Sequence, residues 1–121
     1  MKIKKVIVLG ASKKKDRYSN IAARRLMAAG YETLLVSNKP GQINDQQFIT
    51  DWPDLDDIHT ITLYLNPSNQ ESYKNCILDS NAKRVVFNPG TENEDLYMAL
   101  KDKGVEVLNA CALVMLSTNQ F

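Results

Sequence analysis

Excess charge of either sign is what this sequence most lacks. Fifteen lysines and arginines face fourteen aspartates and glutamates, a formal net charge of +1. That balance argues against a general nucleic-acid or membrane-surface role, because such domains carry a basic excess over their whole surface. Cysteine is scarce as well. Cys76 and Cys111 have no metal-ligand spacing, and Met1-Lys2-Ile3-Lys4-Lys5 does not read as a signal peptide. Free thiols in a reducing cytoplasm are therefore expected. No apolar run approaches transmembrane length, and no repeat, low-complexity tract or flexible linker interrupts the chain. At 121 residues, the expectation is a single domain over 1–121, with room for one core and none for a second catalytic domain.

What is present begins with Val6-Ile7-Val8-Leu9, an unbroken apolar run of the kind found in a strand buried on both faces of a parallel sheet. It stops at Gly10-Ala11-Ser12, residues small enough to let a ligand approach the backbone. The chain then runs through Arg17-Tyr18-Ser19 into a helix whose N-terminal N–H groups favour an anion. A full G-x-G-x-x-G is absent, so a tight strand-to-helix turn that binds nothing remains an equal reading of Gly10. Arg17, nearest the helix, is the first candidate for a phosphate contact, ahead of Lys13, Lys14 and Lys15 in the same solvated loop. Ser19 or Asn20 is expected to cap the helix, Gly30 to end it, and Ala22, Leu26 and Ala29 to form its buried face.

Thr33–Val36 reads as the second strand, placed beside the first by a right-handed crossover. An NAD site would normally put an acidic residue at its end, to hold the ribose. Here Ser37-Asn38-Lys39 follows instead. Lys39 suits a phosphorylated ribose or adenosine end, or is simply a solvated turn residue. Gln42 to Ile58 reads as a winding connection with an edge element near Phe48-Ile49-Thr50, and Trp52 as packing over the sheet in preference to a wall for a base. His59, the only histidine, falls at the sheet end away from the ligand edge and is a poor catalytic candidate. Thr60–Leu65 is the next strand, stopping at Asn66-Pro67. A helix over 68–79 follows, with Tyr73 and Ile77 on one face and Cys76 as a small buried apolar residue. Arg84–Phe87 is a strand closing on Asn88-Pro89-Gly90, and an acidic first turn at 92–95 opens a helix ending near Gly104. Val105–Leu108 is the last strand, followed by Asn109-Ala110-Cys111 and a short final element over 112–116.

Each strand thus ends in a small or amide-bearing cluster. The predicted architecture is α/β, a Rossmann-like three-layer sandwich with a mostly parallel sheet of about five strands. In it those ends share one edge, where ligands bind. Leu9-Gly10-Ala11-Ser12, Arg17-Tyr18-Ser19, Asn66-Pro67, Phe87-Asn88-Pro89-Gly90-Thr91-Glu92-Asn93 and Ala110-Cys111-Ala112-Leu113-Val114-Met115-Leu116 are together similar to motifs of the small stand-alone CoA-binding proteins. That family shares its fold with the N-terminal domain of the succinyl-CoA synthetase alpha subunit. It usually has Thr after the cysteine and an Asn-Pro pair after the second strand, where this chain has Ala112 and Asn38-Lys39-Pro40.

The resemblance implies CoA or acyl-CoA as cofactor, its pyrophosphate held by the loop from Gly10 to Ser19 and its pantetheine arm lying along the strand ends. The expected ligand-binding residues are Gly10, Ala11, Ser12, Arg17, Tyr18, Ser19, Ser37, Asn38, Lys39, Asn66, Pro67, Asn88, Pro89, Gly90 and Cys111. Enzymes sharing the domain use a phosphorylated histidine from a further domain, and His59 is in the wrong place for that task. The expectation is therefore binding without catalysis, as a sensor, carrier or partner of an acyl-CoA enzyme, with no metal, nucleic acid or membrane. The alternatives are an NAD(P)-binding oxidoreductase and a thiol-dependent acyl-CoA enzyme using Cys111. No base lies near Cys111 in sequence, so contact with the pantetheine end is expected of it and turnover is not.

Overall fold

The structure is a computed structural model and describes residues 4–121. The signal-peptide reading falls largely on residues 1–3, outside the described residues. In chain order the elements are β1 (Lys5–Leu9), α1 (Tyr18–Ala28), β2 (Glu32–Val36), β3 (Gln42–Ile43), β4 (Gln46–Gln47), β5 (Thr60–Leu63), α2 (Pro67–Gln70), a 3-10 turn (Glu71–Tyr73), α3 (Lys74–Asp79), β6 (Arg84–Phe87), α4 (Glu94–Asp102), β7 (Glu106–Asn109) and α5 (Ala112–Ser117). Among the described residues five strands form one parallel sheet in the order β2-β1-β5-β6-β7. Beyond β2, Ile49 makes a single parallel bridge to Val36, the edge element expected near Phe48-Ile49-Thr50. The hairpin β3–β4 ahead of it has no counterpart in the sequence reading.

Period-two alternation sorts the sheet into two buried faces. Ile7, Leu9, Ile61, Leu63, Val85 and Phe87 pack under Ile77 of α3 and Leu96 and Leu100 of α4. Val6, Val8, Leu35 and Val86 pack under Ala23 and Leu26 of α1 and Ala112 and Met115 of α5. Each large apolar side chain buried this way contributes about 1.5–3 kcal/mol, which is why the strands read as apolar runs. Trp52 packs against the first cluster, its ring centroid 6.3 Å from that of Tyr73.

Four local expectations are corrected. Arg17, not Ser19 or Asn20, holds the N-cap position of α1, and no side chain caps it. Ser19 and Asn20 are instead buried, and the Asn20 side-chain amide donates to the Ser12 carbonyl at 2.8 Å, pulling the loop onto the helix. Ala29 is the exposed C-cap residue and Ala23 takes its place on the buried face, because the helix stops one residue earlier. The single helix over 68–79 is three pieces. Asn66 caps α2 by accepting from the Asn69 N–H at 2.8 Å, and Pro67 stands at the first helical position, where it lacks no needed donor. Gln70 is then drawn inward, donating to the Leu65 and Thr91 carbonyls at 2.8 and 2.7 Å, and the chain tightens into the 3-10 turn before α3. Cys76 is half-buried.

Candidate functional site

The strand order reverses between β1 and β5: from β1 the chain crosses to β2 on one side, and after the Ile49 edge it returns to β5 on the other. Open α/β sheets bind ligands at such a switch point, outside the carboxyl ends of the strands. Gly10 sits there with φ +97°, and a Cβ on it would come within 3.0 Å of the Leu65 side chain. Both observations demand glycine.

A cleft of about 570 Å³ opens beside it, with Gly10, Ala11, Ser37, Asn38 and Lys39 on one side and Leu65, Ser68, Asn69, Glu71, Ser72 and Tyr73 on the other. Ligand sites commonly occupy about 300–1,000 Å³. A second cavity of about 180 Å³ is lined by Tyr18, Tyr64, Asn88, Pro89, Cys111 and Leu113. Leu65 and Tyr64 are adjacent and point to opposite faces of the sheet, one packing with each core cluster. The end of β5 therefore divides the two cavities.

The structure brings most of the expected residues to this edge but gives several of them other work. Gly10 and Ala11 donate their N–H groups to the Val36 carbonyl at 2.9 and 3.1 Å, so these amides hold β2 and are not free for phosphate. The free donors are further on: among the described residues the Tyr18 and Ser19 N–H groups, first in α1, have no partner, and the first turn carries no acidic side chain. With Arg17 exposed beside them, this is where an anion is favoured. Ser12 lines neither cavity; its hydroxyl accepts from the Lys14 N–H at 3.2 Å. Ser19 is buried in α1. Asn66 and Pro67 start α2, and Gly90, with φ +92°, is an exposed turn residue.

Asn88 is a clamp. Its amide donates to the Thr62 hydroxyl at 2.7 Å and the Leu63 carbonyl at 2.8 Å, while its side-chain oxygen accepts from the Ala112 N–H at 2.8 Å. It joins β5, β6 and the start of α5, and thereby sets Cys111 at the cavity wall. Cys111 is half-buried and is the N-cap residue of α5. Tyr64 lines the same cavity. Burial pushes its phenol up to about 12, against the pull of the neighbouring Thr62 hydroxyl and with a smaller upward push from Cys111. It is a neutral O–H at physiological pH. Sequence reasoning missed Tyr64, Glu71 and Tyr73, since a strand-end aromatic and a helix-face carboxylate carry no motif.

His59 lies at the opposite end of the sheet, its Nδ1 2.7 Å from the Thr60 hydroxyl oxygen. Among the described residues no His, Cys, Asp and Glu cluster could hold a metal ion, and no helix is long and apolar enough to cross a membrane.

A parallel sheet covered on both faces, with a cleft at its switch point, defines a Rossmann-like α/β architecture. The model of the CoA-binding domain family matches residues 4–117, and the chain belongs to that family. A crystal structure of an uncharacterised protein is similar over the whole of both chains, at 43% identity and TM-score 0.95. A Thermus thermophilus structure, cell-free ID.343, shares the fold at 23% identity and TM-score 0.83, over 98% of this chain and 91% of that one. A conserved hypothetical protein from Pyrococcus furiosus is 26% identical over 93% and 98% of the two chains, at TM-score 0.78. No curated protein matches the sequence.

Proposed function

We propose that this protein binds CoA or an acyl-CoA without chemistry of its own, serving as a sensor, carrier or partner of an acyl-CoA enzyme. Family membership supports CoA as the ligand. The observation that carries the assignment of the nucleotide end is Lys39, which lines the large cleft directly after β2, where a dinucleotide site would place a carboxylate. CoA brings a 3′-phosphate and a pyrophosphate. The first suits Lys39, and the second suits the uncapped α1 N-terminus with Arg17 beside it. The pantetheine arm then reaches past β5 to the Cys111 cavity. Cys111 serves as a contact, because a reactive thiol needs a neighbouring cation or base and the cavity lining supplies neither.

One observation favours a second reading. Glu71 in the cleft wall could hold ribose hydroxyls, as in an NAD(P)-binding oxidoreductase. Calorimetric titration with CoA, dephospho-CoA and NAD separates the two. CoA should bind most tightly, dephospho-CoA more weakly by about 1–3 kcal/mol, the scale of a charge-assisted contact, and NAD weakest. Equal or tighter binding of NAD would reverse the assignment. The Arg17→Ala variant should keep its fold and lose CoA affinity; unchanged affinity would move the phosphate to Lys13 or Lys14.

A further inference from the structure

The two edges of the sheet are finished differently. At β2 the chain folds back over the edge: the Ile49 N–H donates to the Leu35 carbonyl at 2.7 Å, and the Ser37 N–H donates to the Ile49 carbonyl at 3.1 Å. At β7 the edge is open, and among the described residues its only strand partner is β6. The Glu106 and Ala110 N–H groups donate inward, to the Lys83 and Phe87 carbonyls at 3.1 Å each, so alternation turns the backbone groups of Val107 and Asn109 outward. Burial follows the same line. β6 is buried throughout, whereas Val107 and Leu108, one on each face of β7, stay half-buried. Lysine or proline often blunts a sheet edge, and β7 has neither.

A groove of about 540 Å³ lies beside this edge, with Glu94, Tyr97 and Met98 of α4 on one wall and Asn109 on the other. Met98, at the middle of α4, is 50% exposed. Residues three and four apart share a helix face, so the exposed Lys101 continues the row that Glu94, Tyr97 and Met98 begin. The row has an acid at its start, a base at its end and two large, mainly apolar side chains between them. Glu94 and Lys101 are equally far along the helix from the midpoint between Tyr97 and Met98. An antiparallel copy of the same row therefore sets Glu94 against Lys101, Tyr97 against Met98, and no like charges against each other.

We propose that the occupant of this edge is a second copy of the chain, paired antiparallel through β7 about a two-fold axis, so that the two sheets become one. Such an axis keeps both α4 helices on one face of the joined sheet and runs them antiparallel, the orientation that the charged row needs. The strands accept the same symmetry. With Leu108 on the axis, the outward-facing Val107 of one copy lies opposite Asn109 of the other, and both side chains are on the α4 face. Pairing reverses the strands of one copy relative to the other, so the two carboxyl edges point in opposite directions and both clefts stay open. The inference does not depend on the identity of the ligand.

Sedimentation velocity of the whole protein should show dimer replacing monomer as concentration rises through the micromolar range, while Met98→Lys stays monomeric. Glu94→Lys or Lys101→Glu alone sets like charges together at both ends of the row and should weaken the dimer at least about tenfold. Mixed in equal amounts, these two variants should regain it, because one copy then brings two lysines to the two glutamates of the other. Hydrogen exchange at the Val107 and Asn109 amides should be slow in the dimer and fast in Met98→Lys, which a dimer built on another surface would not show. The three altered residues are exposed, so the variants should fold, with circular dichroism as the check; sedimentation and exchange of the unaltered protein need no variant. A protein monomeric up to millimolar concentration, a dimer without protection of those two amides, a dimer indifferent to all three substitutions, or a mixture that fails to re-form it overturns the inference.

Discussion

The two faces of the sheet are built by different rules. Under α3 and α4 the middle of the sheet presents apolar side chains, from Ile7 and Leu9 across to Val85 and Phe87, with Lys5 and Asn109 at its rims. Under α1 and α5 the same strands interleave Val6, Val8 and Val86 with Thr60, Thr62, Arg84 and Asn88, all buried. There the Arg84 Nε donates to the Thr60 hydroxyl at 3.0 Å and Asn88 holds Thr62, so a polar ladder crosses from β6 to β5. The first face stabilises and specifies little, since an apolar contact has no direction. The second fixes positions. Its bonds tie the last helix to the strand ends, and at the other end the Arg84 guanidinium lies 4.6 Å from the Phe121 ring centroid, one of its nitrogens without a hydrogen-bond partner among the described residues. The face that bears the small cavity is the one carrying directional bonds.

Mutations on the two faces should separate stability from site geometry. The largest effect is expected from Phe87→Ala on the apolar face, a loss of about 3–5 kcal/mol in denaturant unfolding from lost burial and the cavity left behind. Thiol-labelling of Cys111 in the still-folded variant should hardly change. Asn88→Ala on the polar face should cost about 1–3 kcal/mol, because the Leu63 carbonyl and the Ala112 N–H lose their partner. Here Cys111 labelling should accelerate, since the start of α5 is untethered. An equal labelling change in both variants would mean the faces do not differ as described.

The smallest effect concerns the far end of the polar face. Burial, and then Lys4, Arg84 and Lys83, hold the His59 imidazole below its usual range, against a weaker opposing pull from Glu106. The native state therefore takes up its proton at lower pH than the unfolded chain, whose histidine titrates near about 6.5. The resulting stability is present above about 6.5 and is lost as pH falls through the lower native value. Unfolding curves between pH 7 and 5 should show this decline, and His59→Gln should flatten it. A decline of unchanged slope in His59→Gln would assign it to the carboxylates instead.

Much of this was legible beforehand because it is local. Strand-forming runs bounded by Gly10, Ser37, Asn66, Asn88 and Asn109 announced the five parallel strands, and β6 was read residue for residue as Arg84–Phe87. What was misread depended on groups distant in sequence. Gln70 sits in a helical pattern, yet its bonds to Leu65 and Thr91 break that helix. Asn20 resembles a cap until the Ser12 carbonyl claims it. Asn88 reads as a ligand contact in the sequence and does line the small cavity, but its bonds to Thr62, Leu63 and Ala112 come from groups far along the chain.

The sequence by itself determined the fold class and which residues end the strands on one shared edge, because hydrophobic period and strand-ending residues are properties of neighbouring positions. Only the tertiary structure decided which groups at that edge remain free to bind. The Gly10 and Ala11 amides are taken by Val36, while those of Tyr18 and Ser19 have no partner among the described residues. Whether a donor is available is settled by every other group that could reach it, and those groups come from strands and helices far apart in the chain.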